Sequence, residues 1–88
     1  MSLGNDSYDW AVESKNIVGS RVVEARRTAK PRITQQELIA RLQVQGMRLE
    51  QSALSKIEHG QRPVTDIEVV ALARALKVPT GWLLREES

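Results

Sequence analysis

The chain has 88 residues, of which 41% are hydrophobic and 3% aromatic with no Phe, and its formal net charge at pH 7 is +2. This length excludes two separate cores, and the absence of cysteine excludes a disulfide framework and a thiolate metal site. No apolar run approaches the roughly 20 residues of a membrane span, and the first residues lack a signal-peptide pattern. We therefore expect a single domain of the reducing cytoplasm, with a core of Leu, Ile, Val and Ala.

Basic side chains are concentrated between residues 15 and 48. This segment holds eight Lys and Arg residues against two Glu residues, which gives it a net charge of +6. A solvated helix surface is one interpretation of such a run. The other is a surface that faces phosphates, because neutralising phosphates and releasing counterions drives much of the affinity for DNA.

Residues 1–15 show no hydrophobic periodicity, and we interpret them as a flexible leader, part of which fits an expression scar. Tyr8 and Trp10 are the only anchoring side chains in this leader. Three interpretations of these side chains are open: loose packing on the domain, contact with a partner, or exposure to solvent. We favour loose packing.

The first helix is predicted from about residue 16 to residue 28. One stripe holds its apolar side chains, Val18, Val22 and Ala25. The charged side chains Arg21, Glu24 and Arg27 are predicted to face outward. Pro31 ends the helix, because proline disfavours helical geometry in the residue before it.

Capping boxes mark the starts of two further helices, at Thr34 with Glu37 and at Thr65 with Glu68. The second helix is predicted to bury Leu38, Ile39 and Leu42 and to stop near Gly46. The fourth runs to about Leu76, and residues 79–84 form a short fifth helix. No strand-like alternation appears, so the fold class is all-α, with a domain over residues 16–85 and a tail over residues 86–88.

The third helix is predicted over residues 49–60. Leu54 and Ile57 form a narrow apolar stripe, and polar side chains form a continuous stripe on the other side. Gly60 then supplies the left-handed residue that ends the helix. A short helix with a small hydrogen-bonding face suits insertion into a DNA groove.

The chain from residue 17 to residue 85 resembles the lambda-repressor-like, Cro-type helix-turn-helix family, also called XRE-like. The resemblance rests on the segments Ile-Thr-Gln-Gln-Glu-Leu (33–38), Ser-Ala-Leu-Ser-Lys-Ile-Glu-His-Gly (52–60) and Val-Val-Ala-Leu-Ala-Arg-Ala-Leu-Lys-Val (69–78), followed by Trp82-Leu83-Leu84. It implies a five-helix domain whose third helix enters the major groove of DNA.

Two features depart from the family pattern. Gln43 stands where a glycine usually follows the second helix, and residues 44–48 look like an insertion into the connector. Ile39 replaces the usual small residue inside the second helix. Both differences predict a changed angle between the second and third helices.

The resemblance also implies roles for individual side chains, each with a solvated surface residue as the alternative. The side chains expected to contact bases are Gln51, Ser52, Ser55 and Lys56, since Gln matches adenine and Lys matches guanine in the major groove. Gln35, first in the second helix, resembles the family position that holds a phosphate, where free amides favour an anion. From their positions in the chain, the further candidates for phosphate contacts are Arg32, Arg48, His59 and Arg62. Arg26 and Glu58 are expected to form a structural ion pair.

The function expected from this resemblance is sequence-specific binding of double-stranded DNA by a bacterial or phage transcriptional regulator, repressor-like, cytoplasmic and nucleoid-associated. One helix reads only a few base pairs, so we expect a homodimer on a palindromic operator. The candidate dimer surface is Trp82, Leu83 and Leu84, with ordinary core cover as the alternative.

An enzyme is not expected, because the chain has one His, no Cys and no Gly-rich phosphate loop. We likewise expect no catalytic residue, no metal site, no cofactor and no membrane partner. The alternative function is that of an antitoxin-like or adaptor protein whose main role is binding a protein partner. Tyr8 and Trp10 would then be partner contacts.

Overall fold

A computed structural model describes residues 14–86. They form five helices: α1 (Gly19–Thr28), α2 (Gln35–Val44), α3 (Gln51–Glu58), α4 (Asp66–Leu76) and α5 (Thr80–Leu83). No residue from 14 to 86 lies in a strand, and the all-α prediction is confirmed. Within this part of the chain, no helix has the length and apolar character needed to cross a membrane. Tyr8 and Trp10 lie outside the described residues.

The core receives side chains from all five helices. Its largest fully buried members are Val18, Val22, Leu38, Leu42, Leu54, Ile57, Leu72 and Leu83. The apolar stripes predicted for the first three helices therefore face inward, with Ile39 packed against the edge of the core. In α4, by contrast, Ile67 and Val70 are 78% and 37% exposed. They lie about 140° and 160° around that helix from Leu72, on its outer side.

The first helix begins three residues later than predicted, at Gly19. Asn16 precedes the helix, and its Oδ1 accepts hydrogen bonds from the backbone N–H groups of Val18 (3.0 Å) and Gly19 (2.8 Å). An Asn side chain that satisfies the free amides at a helix start competes with helical geometry at its own position. Asn16 is therefore a cap and not a helical residue.

Only one of the two predicted capping boxes is complete. At α4, Thr65 Oγ1 accepts from the N–H of Glu68 (3.1 Å), and Glu68 Oε1 accepts from the N–H of Thr65 (3.0 Å). At α2, Thr34 caps the N–H of Glu37 (3.0 Å). The prediction for the Glu37 side chain was wrong, because its carboxylate accepts from Arg41 Nη2 at 2.8 Å, one turn along the helix.

Left-handed glycines end α2 and α3, as the sequence predicts. Gly46 has φ of +88° and Gly60 has φ of +72°. After α2, the N–H of Met47 donates to the carbonyl of Leu42 at 3.0 Å, which closes the last turn as a Schellman motif. Residues 45–50 then connect α2 to α3, with Met47 and Leu49 packed against the core. The extended connector is thus anchored by its own apolar side chains.

Candidate nucleic-acid interface

Helix α3 presents two different faces. Leu54 and Ile57 are 0% exposed, whereas Gln51, Ser52 and Lys56 are exposed. Ser55 is half-buried between the two faces. Three of the four side chains expected to contact bases therefore lie on the outer surface of α3. The apolar stripe on the opposite side packs this helix on the core.

A bidentate ion pair joins α1 to α3, between the two residues that the sequence assigns to a structural pair. Arg26 Nε donates to Glu58 Oε2 at 2.7 Å, and Arg26 Nη2 donates to Glu58 Oε1 at 3.0 Å. The two side chains are only 13% and 5% exposed. Arg26 Nη1 also donates to the carbonyl of Ile33 at 3.2 Å, so one guanidinium holds α3 and the segment that leads into α2. Two parallel hydrogen bonds of this kind fix the relative orientation of the guanidinium and the carboxylate as well as their distance.

Asn16 and Gly19 also contact α3, and neither residue was predicted to do so. Asn16 Nδ2 donates to the carbonyls of Ile57 (3.1 Å) and Arg62 (2.8 Å). Gly19 is buried, and a Cβ at this position would lie 2.2 Å from the Ile57 carbonyl oxygen. An Asn before an apolar stripe is a helix-start signal, but its partners lie 41 and 46 residues further along the chain. Local pattern reasoning does not reach such partners.

Gln35 connects α2 to α3 through three hydrogen bonds. Its Nε2 donates to Glu58 Oε1 (2.9 Å) and to Ser55 Oγ (3.3 Å), and its Oε1 accepts from Gln51 Nε2 (3.0 Å). On the other side, Gln36 Nε2 donates to Gln51 Oε1 at 2.9 Å. The predicted phosphate ligand Gln35 therefore lies beside the predicted base-reading residue Gln51, and Gln36 is a neighbour that sequence reasoning missed.

The other residues expected to contact phosphates fall into two groups. Arg32, Arg48 and His59 are exposed, and the Nδ1 atom of His59 lies 2.8 Å from the carbonyl of Ser55. Arg62 is half-buried and donates to both carboxylate oxygens of Glu68, at 3.2 and 3.1 Å. This hydrogen-bonded pairing with Arg62 lowers the pKa of Glu68 from its ordinary value, against the opposing effect of burial. The structure therefore ties Arg62 to α4.

The candidate dimer surface is smaller than the sequence suggests. Leu83 is 0% exposed and belongs to the core, so it is not available to a second copy. Trp82 and Leu84 are half-buried and pack against the core. Arg21 stacks over the Trp82 ring, 4.6 Å from its centroid, and Nη1 donates to the Trp82 carbonyl at 2.9 Å. Arg21 was predicted to face outward, but this contact holds it half-buried against α5.

The exposed part of α3 therefore offers an amide, a hydroxyl and an ammonium group, which together donate and accept hydrogen bonds. The chain matches a family model described as helix-turn-helix over residues 23–83, more than half of its length. Neither the curated proteins nor the solved structures give a significant match. The family match spans most of α1 and all of α2 to α5, and the family is DNA-binding and non-enzymatic. This chain belongs to the XRE-like, lambda-repressor-like helix-turn-helix family and is a DNA-binding protein of that family.

Proposed function

We propose that this protein binds double-stranded DNA sequence-specifically, with α3 in the major groove, as a repressor-like transcriptional regulator of bacterial or phage origin. The observation that carries the proposal is the division of α3 into a buried apolar stripe and an exposed polar face with Gln51, Ser52 and Lys56. A helix fixed in this way can present its outer side chains to base edges without losing its contacts with the core.

Each exposed side chain has a matching base edge. The Gln51 amide can donate to N7 and accept from N6 of adenine, and the Lys56 ammonium can donate to O6 and N7 of guanine. Ser52, at the start of α3, is short enough to bind a base or a phosphate. Ser55 is the weaker candidate, because its hydroxyl already accepts a hydrogen bond from Gln35.

Phosphate contacts would surround this face. Arg32 precedes α2 and Arg48 lies in the connector before α3, both exposed, and the free amides at the start of α2 favour an anion near Gln35. His59 adds a further exposed donor after α3. Arg62 would have to exchange its hydrogen bonds with Glu68 for a phosphate, which makes it the least favoured of the five.

We also propose a homodimer on a palindromic operator, since one α3 helix contacts only a few base pairs. Two copies would place their α3 helices in half-sites about one helical turn apart. Trp82 and Leu84 are the side chains that remain for the dimer surface. A regulator of this kind would act in the cytoplasm, associated with the nucleoid.

A salt titration of binding to random duplex DNA tests this function. A protein that neutralises several phosphates should lose affinity steeply and log-linearly as the salt concentration rises. Selection of bound sites from a random DNA pool should then enrich a palindrome, and Gln51→Ala should lose part of that preference. Absence of binding at low salt would contradict the proposal and favour the alternative, an antitoxin-like or adaptor protein that binds a protein partner.

A further inference from the structure

Five side chains from three helices form one continuous set of hydrogen bonds that ends at the outer surface of α3. Arg26 donates to Glu58, Gln35 donates to Glu58, Gln51 donates to Gln35, and Gln36 donates to Gln51. All four links have donor–acceptor distances of 3.0 Å or less. We call these five residues the relay.

The direction of the hydrogen bonds in the relay is fixed, because the Glu58 carboxylate at its buried end can only accept hydrogen bonds. The guanidinium of Arg26 only donates and the Glu58 carboxylate only accepts, so Gln35 must direct its NH₂ group toward Glu58. The Gln35 oxygen then faces outward and can only accept, so Gln51 must direct its own NH₂ group toward Gln35. The Gln51 oxygen is left on the other side, where the Gln36 NH₂ group donates to it.

A reversed Gln51 amide would break this sequence of bonds. Its oxygen would face the Gln35 oxygen, and its NH₂ group would face the Gln36 NH₂ group. Reversing Gln35 as well would place its oxygen against the Glu58 carboxylate, which is 5% exposed and has little access to water. One orientation of the amide is therefore favoured before any ligand binds.

After these bonds, Gln51 keeps one donor hydrogen and one acceptor lone pair, because an amide NH₂ donates twice and an amide oxygen accepts twice. Adenine is the base that offers one donor and one acceptor side by side in the major groove. Guanine offers two acceptors there, cytosine a donor and thymine an acceptor and a methyl group. The remaining groups of a held Gln51 thus match adenine alone.

We propose that Gln36 is a positioning residue: it donates to the Gln51 oxygen from the side opposite Gln35 and so holds the Gln51 amide in the direction that selects adenine. This inference rests on the proposed function. Gln36 belongs to α2 and need not touch the base itself. Its effect is on the discrimination between bases and not on the general affinity for DNA.

Gln36→Glu is the sharpest variant, because it keeps the shape of the side chain and replaces its donor with an acceptor. The new carboxylate repels the Gln51 oxygen, and Gln51 cannot turn without opposing Gln35. Gln43→Glu is the matched control: Gln43 is exposed on the same helix, about two turns further along. It introduces the same charge without a contact to Gln51.

The position that Gln51 reads is identified first, as the base pair at which Gln51→Ala loses its preference. The first measurement is then the ratio of the affinities for two duplexes that differ only at this base pair. We expect adenine to be preferred by the wild type, and Gln36→Glu to reduce that ratio by about tenfold, as for the loss of a bidentate base contact. Gln43→Glu should weaken binding to both duplexes equally and keep the ratio. A wild-type ratio in Gln36→Glu would overturn the inference.

The second measurement needs no DNA: the NMR order parameter of the Gln51 side-chain NH₂ group in the free protein. We expect a restrained amide in the wild type and in Gln43→Glu, and a more mobile one in Gln36→Glu. Equal mobility in all three proteins would overturn the inference and leave the proposed function standing. A wild type that selects no base pair through Gln51 would overturn both.

Discussion

Glu58 joins α3, the helix proposed to face DNA, to both α1 and α2. Its carboxylate accepts two hydrogen bonds from Arg26 and one from Gln35, and it is 5% exposed. A buried charged pair often adds little net stability over an apolar pair. Removing one partner is different, because the remaining charge is then left buried without compensation.

We predict that Glu58→Ala lowers the free energy of unfolding by about 3 kcal/mol, since the Arg26 guanidinium loses the carboxylate with which it is paired. DNA affinity should fall as well, because α3 loses its ion pair with α1. Urea denaturation and a binding titration measure the two effects. Glu37→Ala is the control, since it removes an exposed ion pair with Arg41 and should cost about 0.5 kcal/mol or less. Equal stability of the two variants would refute the structural role of the pair.

At the scale of whole elements, the start of α1 lies directly against the end of α3. The first residue of α1, Gly19, lies against the carbonyl groups of Ile57 and Glu58. The partial positive charge of one helix start thus meets the partial negative charge of another helix end. This contact is available only to a residue without a side chain.

Gly19→Ala should therefore destabilise the domain by about 1–3 kcal/mol, the usual cost of overpacking. Its Cβ would lie 2.2 Å from the Ile57 carbonyl oxygen, so α1 and α3 would have to move apart. Gly81→Ala in α5 is the matched control, because its Cβ would lie 3.8 Å from the Glu86 carbonyl oxygen, which is ordinary van der Waals contact. That variant should be neutral or slightly stabilising, by up to about 1 kcal/mol. A Gly19→Ala protein as stable as Gly81→Ala would mean that the two helices are not in this contact.

The start of α4 should give the protein a measurable sensitivity to acid. The hydrogen bonds from Arg62 lower the pKa of Glu68 in the folded protein, so this group stabilises the fold above the ordinary pKa of glutamate. The contribution is lost as the pH falls through the lowered folded value. Unfolding free energies at neutral and acidic pH should show a larger loss in the wild type than in Glu68→Gln, which cannot titrate. Parallel pH profiles for the two proteins would contradict this assignment.

For the molecule as a whole, the features that the sequence predicts correctly have local causes, apart from the Arg26–Glu58 pair. The apolar stripe of Leu54 and Ile57, the cap at Thr65 and the stop at Gly60 each depend on residues within about one or two turns. The Glu37 side chain was misassigned because Arg41, four residues along, competes for the same carboxylate.

The contacts that sequence reasoning missed join distant parts of the chain. Gln36 meets Gln51 across 15 residues, Asn16 meets Ile57 across 41, and Arg21 meets Trp82 across 61. No periodicity or cap pattern relates such positions, since only the packed arrangement of helices brings them together. The Arg26–Glu58 pair, separated by 32 residues, was predicted because the family resemblance supplied it.

The central claim is that Gln51 on α3 reads a base in the major groove. It is tested most directly with an operator duplex in which 7-deazaadenine replaces the adenine assigned to Gln51, which removes the N7 acceptor and leaves the minor-groove edge unchanged. The wild type should bind this duplex about tenfold more weakly than the unmodified one, whereas Gln51→Ala should bind the two equally. Equal binding of both duplexes by the wild type, or the same loss in Gln51→Ala, would contradict the claim.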